Sequence, residues 1–208
     1  MAEAGSSDQV LPPTDLHQRR LPIVPLAGPW VRIHRKEHDS LFFGATGRNR
    51  FDDPLGRYGV LYAAQEPAGA FIEVFGFGVV GGVHTVRESE LLARAYASIE
   101  VARPMRLVDL TGPGLARIGA TNEVTAGEHV TAQRWSRALW SHPSRPDGLL
   151  YRARYDPSCL SVALFNRVRR HVRAQPMGGL FAPEHQALLA QILDRYAFSL
   201  RGDVGHGT

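Results

Sequence analysis

The most informative residues of this chain lie in four short segments, which are Trp30–Arg35 (WVRIHR), Arg48–Phe51 (RNRF), Gly59–Tyr62 (GVLY) and Ala70–Glu73 (AFIE). Each segment places a charged residue or a tyrosine within or beside an apolar run. A buried charge costs several kcal/mol unless it is paired or used, so these residues indicate a functional site. Arginines that bind phosphate, a tyrosine that stacks on a ring and a carboxylate that stabilises a sugar cation suit a nucleotide-cleaving site. The four residues are Arg32, Arg50, Tyr62 and Glu73.

The residues around these segments predict two strands and a helix. Trp30–His34 alternates and contains β-branched side chains, which predicts a strand. Gly44–Gly56 is rich in turn-forming residues and predicts a loop, and the apolar run Tyr58–Ala63 predicts a second strand. Pro67 suits the first position of a helix. The apolar stripe of that helix is expected to face the core, with Glu73 at the edge of the stripe, where its side chain reaches a cleft.

Further elements follow along the rest of the chain. The hydrophobic spacing predicts three more helices, at Glu88–Ala97, Gly127–Trp140 and Pro183–Tyr196. Four more strands are predicted, at Ser98–Val101, Met105–Leu110, Leu149–Tyr155 and Leu160–Phe165. Because the strands and helices are interspersed without regular βαβ alternation, the predicted class is α+β.

Composition limits the class of protein. A chain of 208 residues suffices for one domain, and its 44% hydrophobic and 21% charged residues are typical of globular proteins. We expect a flexible N-terminal arm over residues 1–22, a domain over residues 23–199 and a flexible tail over residues 200–208. No apolar run reaches the roughly 20 residues of a membrane helix, and the N-terminus lacks the layout of a secretory signal. The lone Cys159 excludes an internal disulfide and favours a cytoplasmic location, and the net charge of +4 favours anionic ligands.

Three other sequence patterns are typical of metal, dinucleotide or nucleic-acid sites, but the elements around each pattern argue against such a site. His34–His38 (HRKEH) matches the His-x-x-Glu-His zinc pattern, but that pattern needs a helix and here it follows a strand. Gly76–Gly81 (GFGVVG) matches the Gly-x-Gly-x-x-Gly fingerprint but follows a helix, so we interpret it as a flexible loop that can cover the cleft. The basic run Arg167–Arg173 is typical of a solvated face. We therefore expect no metal site and no direct contact with nucleic acid.

The order of the site residues resembles that of the RES domain family, which is named for its Arg, Glu and Ser. The likeness extends from about Pro29 to Val168 and rests on Arg32, Arg50-Phe51, Tyr62, Glu73, Leu107–Gly112, Gln133–Trp135 and Gly148–Arg154. It implies a single-domain fold similar to that of ADP-ribosyltransferases, with small mixed sheets and flanking helices. It also implies attack on NAD at the nicotinamide–ribose bond, by phosphorolysis, hydrolysis or ADP-ribosyl transfer.

The resemblance also implies a role for each residue. Arg32 and Glu73 would be catalytic, with Glu73 stabilising the positive charge that grows on the ribose as nicotinamide leaves. Arg32 and Arg50 would bind oxygens of the pyrophosphate or of a free phosphate, and Tyr62 would stack on nicotinamide or ribose. Ala153 occupies the substrate-binding position of the family serine. If that serine only donates a hydrogen bond, its absence costs roughly 1.5–3 kcal/mol and weakens catalysis without abolishing it.

The partners expected from the resemblance follow from the same chemistry. Members of the family are commonly toxins of bacterial toxin–antitoxin pairs, so we expect an NAD-degrading toxin that carries no prosthetic group. NAD would be the substrate and inorganic phosphate a co-substrate. A helix-turn-helix antitoxin of the Xre class would be the protein partner, and a homodimer fits the family. Two alternatives stay open, which are a degenerate module that binds a nucleotide or partner without turnover, and a protein ADP-ribosyltransferase.

Overall fold

The computed structural model describes residues 11–77, 79–80 and 83–202. Within these residues the helices are α1 Pro67–Phe75, α2 Glu88–Leu92, α3 Pro113–Ile118, α4 Glu123–Ala126, α5 His129–Trp140 and α6 Gln186–Arg195. The strands are β1 Ile23–Leu26, β2 Trp30–Arg35, β3 Val60–Ala64, β4 Val79–Val80, β5 Val83–Arg87, β6 Arg94–Val101, β7 Met105–Asp109, β8 Gly148–Arg152, β9 Leu160–Phe165, β10 Val172–Gly179 and β11 Phe198–Arg201. Short 3₁₀ turns cover Leu16–Gln18, Asn166–His171 and Pro183–His185.

Eight strands form one mixed sheet in the order β1-β7-β8-β9-β3-β2-β6-β10. The neighbouring strands are antiparallel except for β7 and β8, which are parallel. Strand β3 lies inside the sheet, where Tyr62 is opposite Ala163 of β9 and Ala64 is opposite Val31 of β2. This pairing places the strand that carries Arg32 directly beside the strand that carries Tyr62.

A second sheet of three strands has the order β11-β5-β4 and packs beside α1. The ring of Phe198 in β11 meets the edge of Phe71 in α1, with 5.3 Å between the ring centroids. Two residues of the expected C-terminal tail, 200 and 201, therefore belong to a strand, while residues 203–208 lie outside the described residues. The segment Gly76–Gly81, predicted to be a loop, begins as a turn but also contains the short strand β4, which pairs with β5; Gly78 and Gly81 lie outside the described residues.

The alternation of side chains along β3 divides the hydrophobic core. Val60 packs in a cluster with α5, and Ala64 packs in a second cluster with α1 and α6. Leu61 and Ala63 belong to a third cluster, which lies on the other face of the sheet because successive residues of a strand point to opposite faces. Tyr62 lies between Val60 and Ala64 on the first face. Its side chain is therefore placed where the α5 cluster and the α1 cluster meet.

The predicted α+β class is confirmed, as is the helix that begins at Pro67. The expectation of small sheets is wrong for the main sheet, which has eight strands. Of the helix predicted at Glu88–Ala97, only Glu88–Leu92 is helical, because the following residues form β6. Strand β6 hydrogen-bonds to β2 on one side and to β10 on the other, and these two ladders outweigh the helical spacing of the apolar residues. None of the helices described is long and apolar enough to cross a membrane.

Part of the segment expected to be a flexible arm packs against the domain. Leu16 and Leu21 are 3% and 6% exposed and belong to the core cluster that contains α5. Arg19 donates a hydrogen bond from Nη1 to the carbonyl oxygen of Ile118, at 3.3 Å. Two isolated leucines in a stretch rich in proline and arginine give no periodic signal, which is why the sequence did not indicate this packing. Residues 1–10 lie outside the described residues.

Candidate active site

A cavity of about 660 Å³ lies over the part of the sheet that contains Tyr62. It is bounded by α1, by the start of α5, by the loop between β2 and β3 and by the residues that follow β8. Four of the five residues that the sequence selected for the site line this cavity, and they are Arg32, Arg50, Tyr62 and Glu73. The fifth, Ala153, does not line it. Residues separated by more than forty positions in the chain therefore share one cavity.

Helix α1 brings Glu73 to the cavity because the helix packs closely on the sheet. A Cβ atom at Gly69 would lie 3.1 Å from Cβ of Cys159 and 3.2 Å from Cβ of Ala64, so the helix approaches at a distance that only glycine permits without adjustment. Glu73 follows Gly69 by four residues, which is about one helical turn, and lies on the same side of the helix. The carboxylate therefore points toward the sheet and the cavity.

Two donors from the end of β8 hold the Glu73 carboxylate. The hydroxyl of Tyr151 donates to Oε2 at 3.0 Å, and the backbone N–H of Arg154 donates to Oε1 at 3.0 Å. Tyr151 is itself buried, and its ring meets the ring of Phe51 edge-on with 4.9 Å between centroids. Each carboxylate oxygen can accept a second hydrogen bond. The carboxylate is therefore fixed in orientation but still able to bind a hydroxyl of a ligand.

The surroundings of Glu73 act on its pKa in opposite directions. Burial raises the pKa of Glu73 above its ordinary value of 4.5, and the hydrogen bonds from Arg154 and Tyr151 and the charge of Arg50 oppose that rise. Burial also raises the pKa of Tyr151 well above its ordinary value of 10.0, so the hydroxyl stays protonated and donates. A desolvated carboxylate interacts more strongly with a nearby positive charge than one in water.

Arg32 extends from β2 into the wall of the cavity. Its Nη2 donates to the carbonyl oxygen of Phe42 at 3.0 Å, and its Nη1 lies 3.4 Å from the carbonyl oxygen of Tyr62. Its Nε is buried and has no acceptor among the described residues. Burial lowers the pKa of Arg32 to about 10, so the side chain remains charged at neutral pH. The charge of Arg32 in the wall therefore makes the cavity more attractive to an anionic ligand.

Three more arginines line the cavity, which are Arg48, Arg50 and Arg154. Arg50 donates from Nη1 to the carbonyl oxygen of Gly127 at 2.8 Å, which directs its guanidinium toward the start of α5. Burial and the neighbouring charge of Arg154 lower the pKa of Arg50. Glu73 is the only carboxylate among the described lining residues, so the cavity has three positive charges in excess. An anionic ligand would relieve the repulsion between these arginines.

Tyr62 contributes its ring to the cavity, while its hydroxyl is engaged elsewhere. The hydroxyl donates to Oδ1 of Asp52 at 3.0 Å and accepts a hydrogen bond from the backbone N–H of Phe51 at 2.9 Å. Burial raises the pKa of Tyr62 well above its ordinary value of 10.0, so it stays neutral. The ring face is therefore the part of Tyr62 that a ligand can contact.

Ala153 lies in the core instead of the cavity. Its side chain is 1% exposed and packs in the cluster that contains α1, and its backbone N–H donates to the carbonyl oxygen of Cys159 at 3.0 Å. The next residue, Arg154, supplies both a lining side chain and the N–H that binds Glu73. The segment that contains Ala153 thus shapes the site through Arg154, and the side chain of Ala153 itself takes no part.

The sequence did not select several residues that line the cavity, namely Arg48, Asn49, His129, Arg154 and Tyr155. Arg154 belongs to a segment that carries the family resemblance, and Arg48 lies two residues before Arg50, so the position of each next to a selected residue was a usable signal. His129 had no such signal, because it is the first residue of α5 and its proximity to the loop is a tertiary contact. Its Nδ1 lies 3.1 Å from the carbonyl oxygen of Arg48, which accepts the hydrogen bond.

The zinc pattern at His34–His38 does not assemble into a cluster of ligands. Nδ1 of His34 is bonded to the carbonyl oxygen of Arg35 at 2.9 Å, and β2 ends at that residue. Across the described residues, no group of three or more His, Cys, Asp or Glu side chains is arranged to hold a metal ion.

Comparison with known proteins identifies the family of this chain. The model of the RES domain matches residues 29–188, which is most of the chain. The chain belongs to the RES domain family. The match begins just before β2 and ends within α6, so it includes every residue described above as lining the cavity.

Two individual proteins are similar to this RES domain. The "Probable toxin y4kH" of Sinorhizobium fredii (strain NBRC 101917 / NGR234) is 33% identical over 113 residues, which cover 54% of this chain and 87% of that protein. A chain of the solved M. tuberculosis MbcT–MbcA toxin–antitoxin complex superposes with a TM-score of 0.63 and 20% identity, over 86% of this chain and 98% of that one. At that identity the superposition shows a shared fold.

Proposed function

We propose that this RES domain degrades NAD by cleaving the bond between nicotinamide and ribose, most readily by phosphorolysis, and that it acts as a toxin. The observation that carries the proposal is the oriented, desolvated carboxylate of Glu73 in a cavity that is otherwise lined by arginines. A single carboxylate suits the stabilisation of one positive charge on a sugar. An excess of arginines suits the binding of a pyrophosphate.

The size and chemistry of the cavity fit a dinucleotide. A volume of about 660 Å³ lies within the roughly 300–1,000 Å³ of pockets that bind small molecules. Arg48, Arg50 and Arg154 are the groups that would bind phosphate oxygens, while the rings of Tyr62 and Tyr155 offer flat apolar faces for a base or for nicotinamide. Glu73 would contact the ribose hydroxyls through its unused lone pairs.

The proposed reaction is a displacement at C1′ of the nicotinamide ribose. As the C1′–N bond breaks, its electron pair passes to the pyridinium ring, which leaves as neutral nicotinamide, and positive charge develops on the ribose. Glu73 stabilises that charge, because it is more strongly attracted to the transition state than to the ground state. An oxygen of inorganic phosphate, held by the arginines, then bonds to C1′ and gives ADP-ribose 1″-phosphate. If water attacks instead, the products are ADP-ribose and a proton.

The role as a toxin and the expected antitoxin rest on similarity. One similar protein is named as a probable toxin, and the similar structure is that of a toxin–antitoxin complex. We extend both to this chain, with a helix-turn-helix protein of the Xre class as the antitoxin. Co-expression with the product of a neighbouring gene of that class should restore growth to cells that express this chain, and continued growth arrest would contradict the pairing.

One observation favours a second candidate function. The family serine is replaced by Ala153, so this chain has no hydroxyl at that position. A RES domain that has lost a required hydroxyl would bind a nucleotide or a partner without turnover. Retained binding of NAD with no release of nicotinamide, at enzyme concentrations near that of the substrate, would favour this function.

The test is incubation of the purified protein with NAD, in the presence and absence of inorganic phosphate, with chromatography of the products. Release of nicotinamide that requires phosphate, together with ADP-ribose 1″-phosphate, is the expected result. Release that is independent of phosphate would assign hydrolysis. Mass spectrometry of cell lysate distinguishes protein ADP-ribosylation, since only transfer adds the mass of ADP-ribose to a protein. The Glu73→Gln variant is the matched control for a contaminating activity.

A further inference from the structure

The carboxylate of Asp52 is fully buried and accepts four hydrogen bonds. The hydroxyl of Tyr62 donates to Oδ1 at 3.0 Å. The other oxygen, Oδ2, accepts the hydroxyl of Thr46 at 3.1 Å, the backbone N–H of Asn49 at 3.2 Å and the side-chain amide of Asn49 at 3.0 Å. All four donors are neutral groups. A buried carboxylate without a countercharge is costly and is retained only where its hydrogen bonds organise something.

These donors connect the two parts of the cavity wall that face a ligand. Asn49 lies between Arg48 and Arg50, so a carboxylate that binds both its backbone and its side chain fixes the segment that carries these two arginines. Tyr62 is the aromatic residue of the floor. Its hydroxyl also accepts the N–H of Phe51, which closes a ring of contacts between β3 and the loop. The arginines and the aromatic ring are thus positioned by one group.

Helix α5 holds the same loop from the opposite side. Nε2 of Gln133 donates to the carbonyl oxygens of Gly47 and Asn49, at 2.8 and 3.1 Å. The hydroxyl of Ser136 donates to the carbonyl oxygen of Phe51 at 2.7 Å. The helix therefore binds the carbonyl groups of the loop, while Asp52 binds its N–H and side-chain donors. Loss of the Asp52 contacts should shift the loop without releasing it, because the α5 contacts remain.

We propose that Asp52 is a positioning residue that sets the geometry of the anion-binding arginines relative to the ring of Tyr62. It acts through the loop and does not itself contact the ligand, since it is absent from the cavity lining. This inference rests on the proposed function for the identity of the ligand, which is a dinucleotide with a pyrophosphate. Its consequence is that the hydroxyl of Tyr62 is a structural group, while the ring of Tyr62 is the binding group.

The test uses two conservative substitutions that break the same contact from either end. Asp52→Asn keeps one oxygen for Thr46 and Asn49 but places an amide NH₂ against the hydroxyl of Tyr62. That hydroxyl already accepts the N–H of Phe51, so its own proton loses the charged acceptor and gains none in its place. Tyr62→Phe keeps the ring and removes the hydroxyl. We expect each variant to raise the KM for NAD about tenfold, with kcat within about twofold, because a hydrogen bond to a charged group is lost and the Glu73 chemistry is untouched. The double variant should be no weaker than the weaker single variant.

Asp53→Asn is the matched control. Asp53 is the adjacent residue and is equally buried, but its carboxylate binds Arg57, at 2.6 and 2.8 Å, and not the arginines of the cavity. It should lower the thermal midpoint and leave the KM for NAD unchanged. Asp52→Asn and Tyr62→Phe should instead raise the KM for NAD. The rise should be larger than the loss of stability, measured as the fall in thermal midpoint, can explain. Equal effects of the two aspartate variants on KM would overturn the proposal and leave a general role in folding.

A second readout separates this inference from the proposed reaction. Calorimetric titration with inorganic pyrophosphate measures the arginine site without any turnover. The expected result is a dissociation constant about tenfold higher for Asp52→Asn and for Tyr62→Phe than for the wild type. An unchanged constant in both variants, or no binding of pyrophosphate to the wild type, would overturn the positioning role. Altered pyrophosphate binding together with no release of nicotinamide from NAD would overturn the reaction and retain the positioning role.

Discussion

Replacement of Glu73 by glutamine removes the charge of the proposed catalytic group and little else. The amide oxygen can still accept the N–H of Arg154, which is only a donor. The amide NH₂ then lies against the hydroxyl oxygen of Tyr151, which can accept instead of donate. The shape of the site and both contacts to the end of β8 are therefore preserved in Glu73→Gln. A change in activity can be assigned to the charge.

The size of the effect follows from the surroundings of the carboxylate. Glu73 is desolvated and held in one orientation, which is the situation in which a preorganised group contributes most to a transition state. Removal of one such group costs about 10²–10³ in kcat, or roughly 2.7–4 kcal/mol. The positive charge on the ribose exists only as nicotinamide leaves, so the loss should appear in kcat and leave the KM for NAD nearly unchanged.

The same substitution should not destabilise the fold at neutral pH. Because burial raises the pKa of Glu73 above 4.5, the folded protein binds this proton more tightly than the unfolded chain. The contribution of Glu73 to stability therefore falls as the pH rises from 4.5 through the raised pKa. At neutral pH we expect Glu73→Gln to have a free energy of unfolding equal to or greater than that of the wild type.

The assay is initial-rate release of nicotinamide over a range of NAD concentrations, together with denaturant unfolding of each protein. Glu66→Gln is the control, because Glu66 lies at the start of the same helix, is exposed and does not line the cavity. It should keep full activity. Glu73→Gln with kcat within threefold of the wild type would refute the catalytic role. A large loss of stability together with the loss of activity would refute the argument that only the charge is removed.

Three further predictions concern the surroundings of this carboxylate and the fold. Tyr151→Phe removes a donor that lowers the pKa of Glu73, so the acid limb of the pH profile of kcat/KM should move to higher pH; an unmoved limb would contradict the assignment. Arg57 holds the pKa of Asp53 at about 2, below its ordinary 3.8, so Asp53→Asn should lower the free energy of unfolding at neutral pH, by a difference that shrinks as the pH falls from 3.8 toward 2; a constant difference across an acid titration would count against this pair. Ala153→Ser should not increase nicotinamide release, because the side chain is buried outside the cavity, and a tenfold gain would show that the hydroxyl reaches the substrate.

The sequence predicted the elements that are specified locally. Pro67 starts α1 where its missing N–H costs nothing, and the strand that contains Tyr62 follows a loop dense in turn formers. The helix predicted over Glu88–Ala97 failed because its second half is paired in the sheet on both sides. Local spacing of apolar residues cannot reveal such pairing, since both partners, β2 and β10, are distant in the chain.

The sequence also predicted which residues form the candidate site, because residue types are read directly from the chain. It did not predict the geometry of the site. Charged residues in apolar runs, and their order along the chain, were enough to select Arg32, Arg50, Tyr62 and Glu73 and to indicate the RES domain family. Which atoms these residues use depended on groups remote in the chain. The hydroxyl of Tyr62 is engaged by Asp52, so the tyrosine offers only its ring, and this follows from an atomic distance that no pattern contains.

Residue types and short-range spacing were thus enough to indicate the family, the helix that carries Glu73 and the principal charged groups of the site. The three-dimensional packing was needed to show that α1 approaches the sheet at Gly69, that the end of β8 supplies both donors to Glu73, and that the position of the family serine is buried outside the cavity. The physical reason is that each of these facts is a contact between elements. Such contacts are set by the packing of the whole core around an eight-stranded sheet.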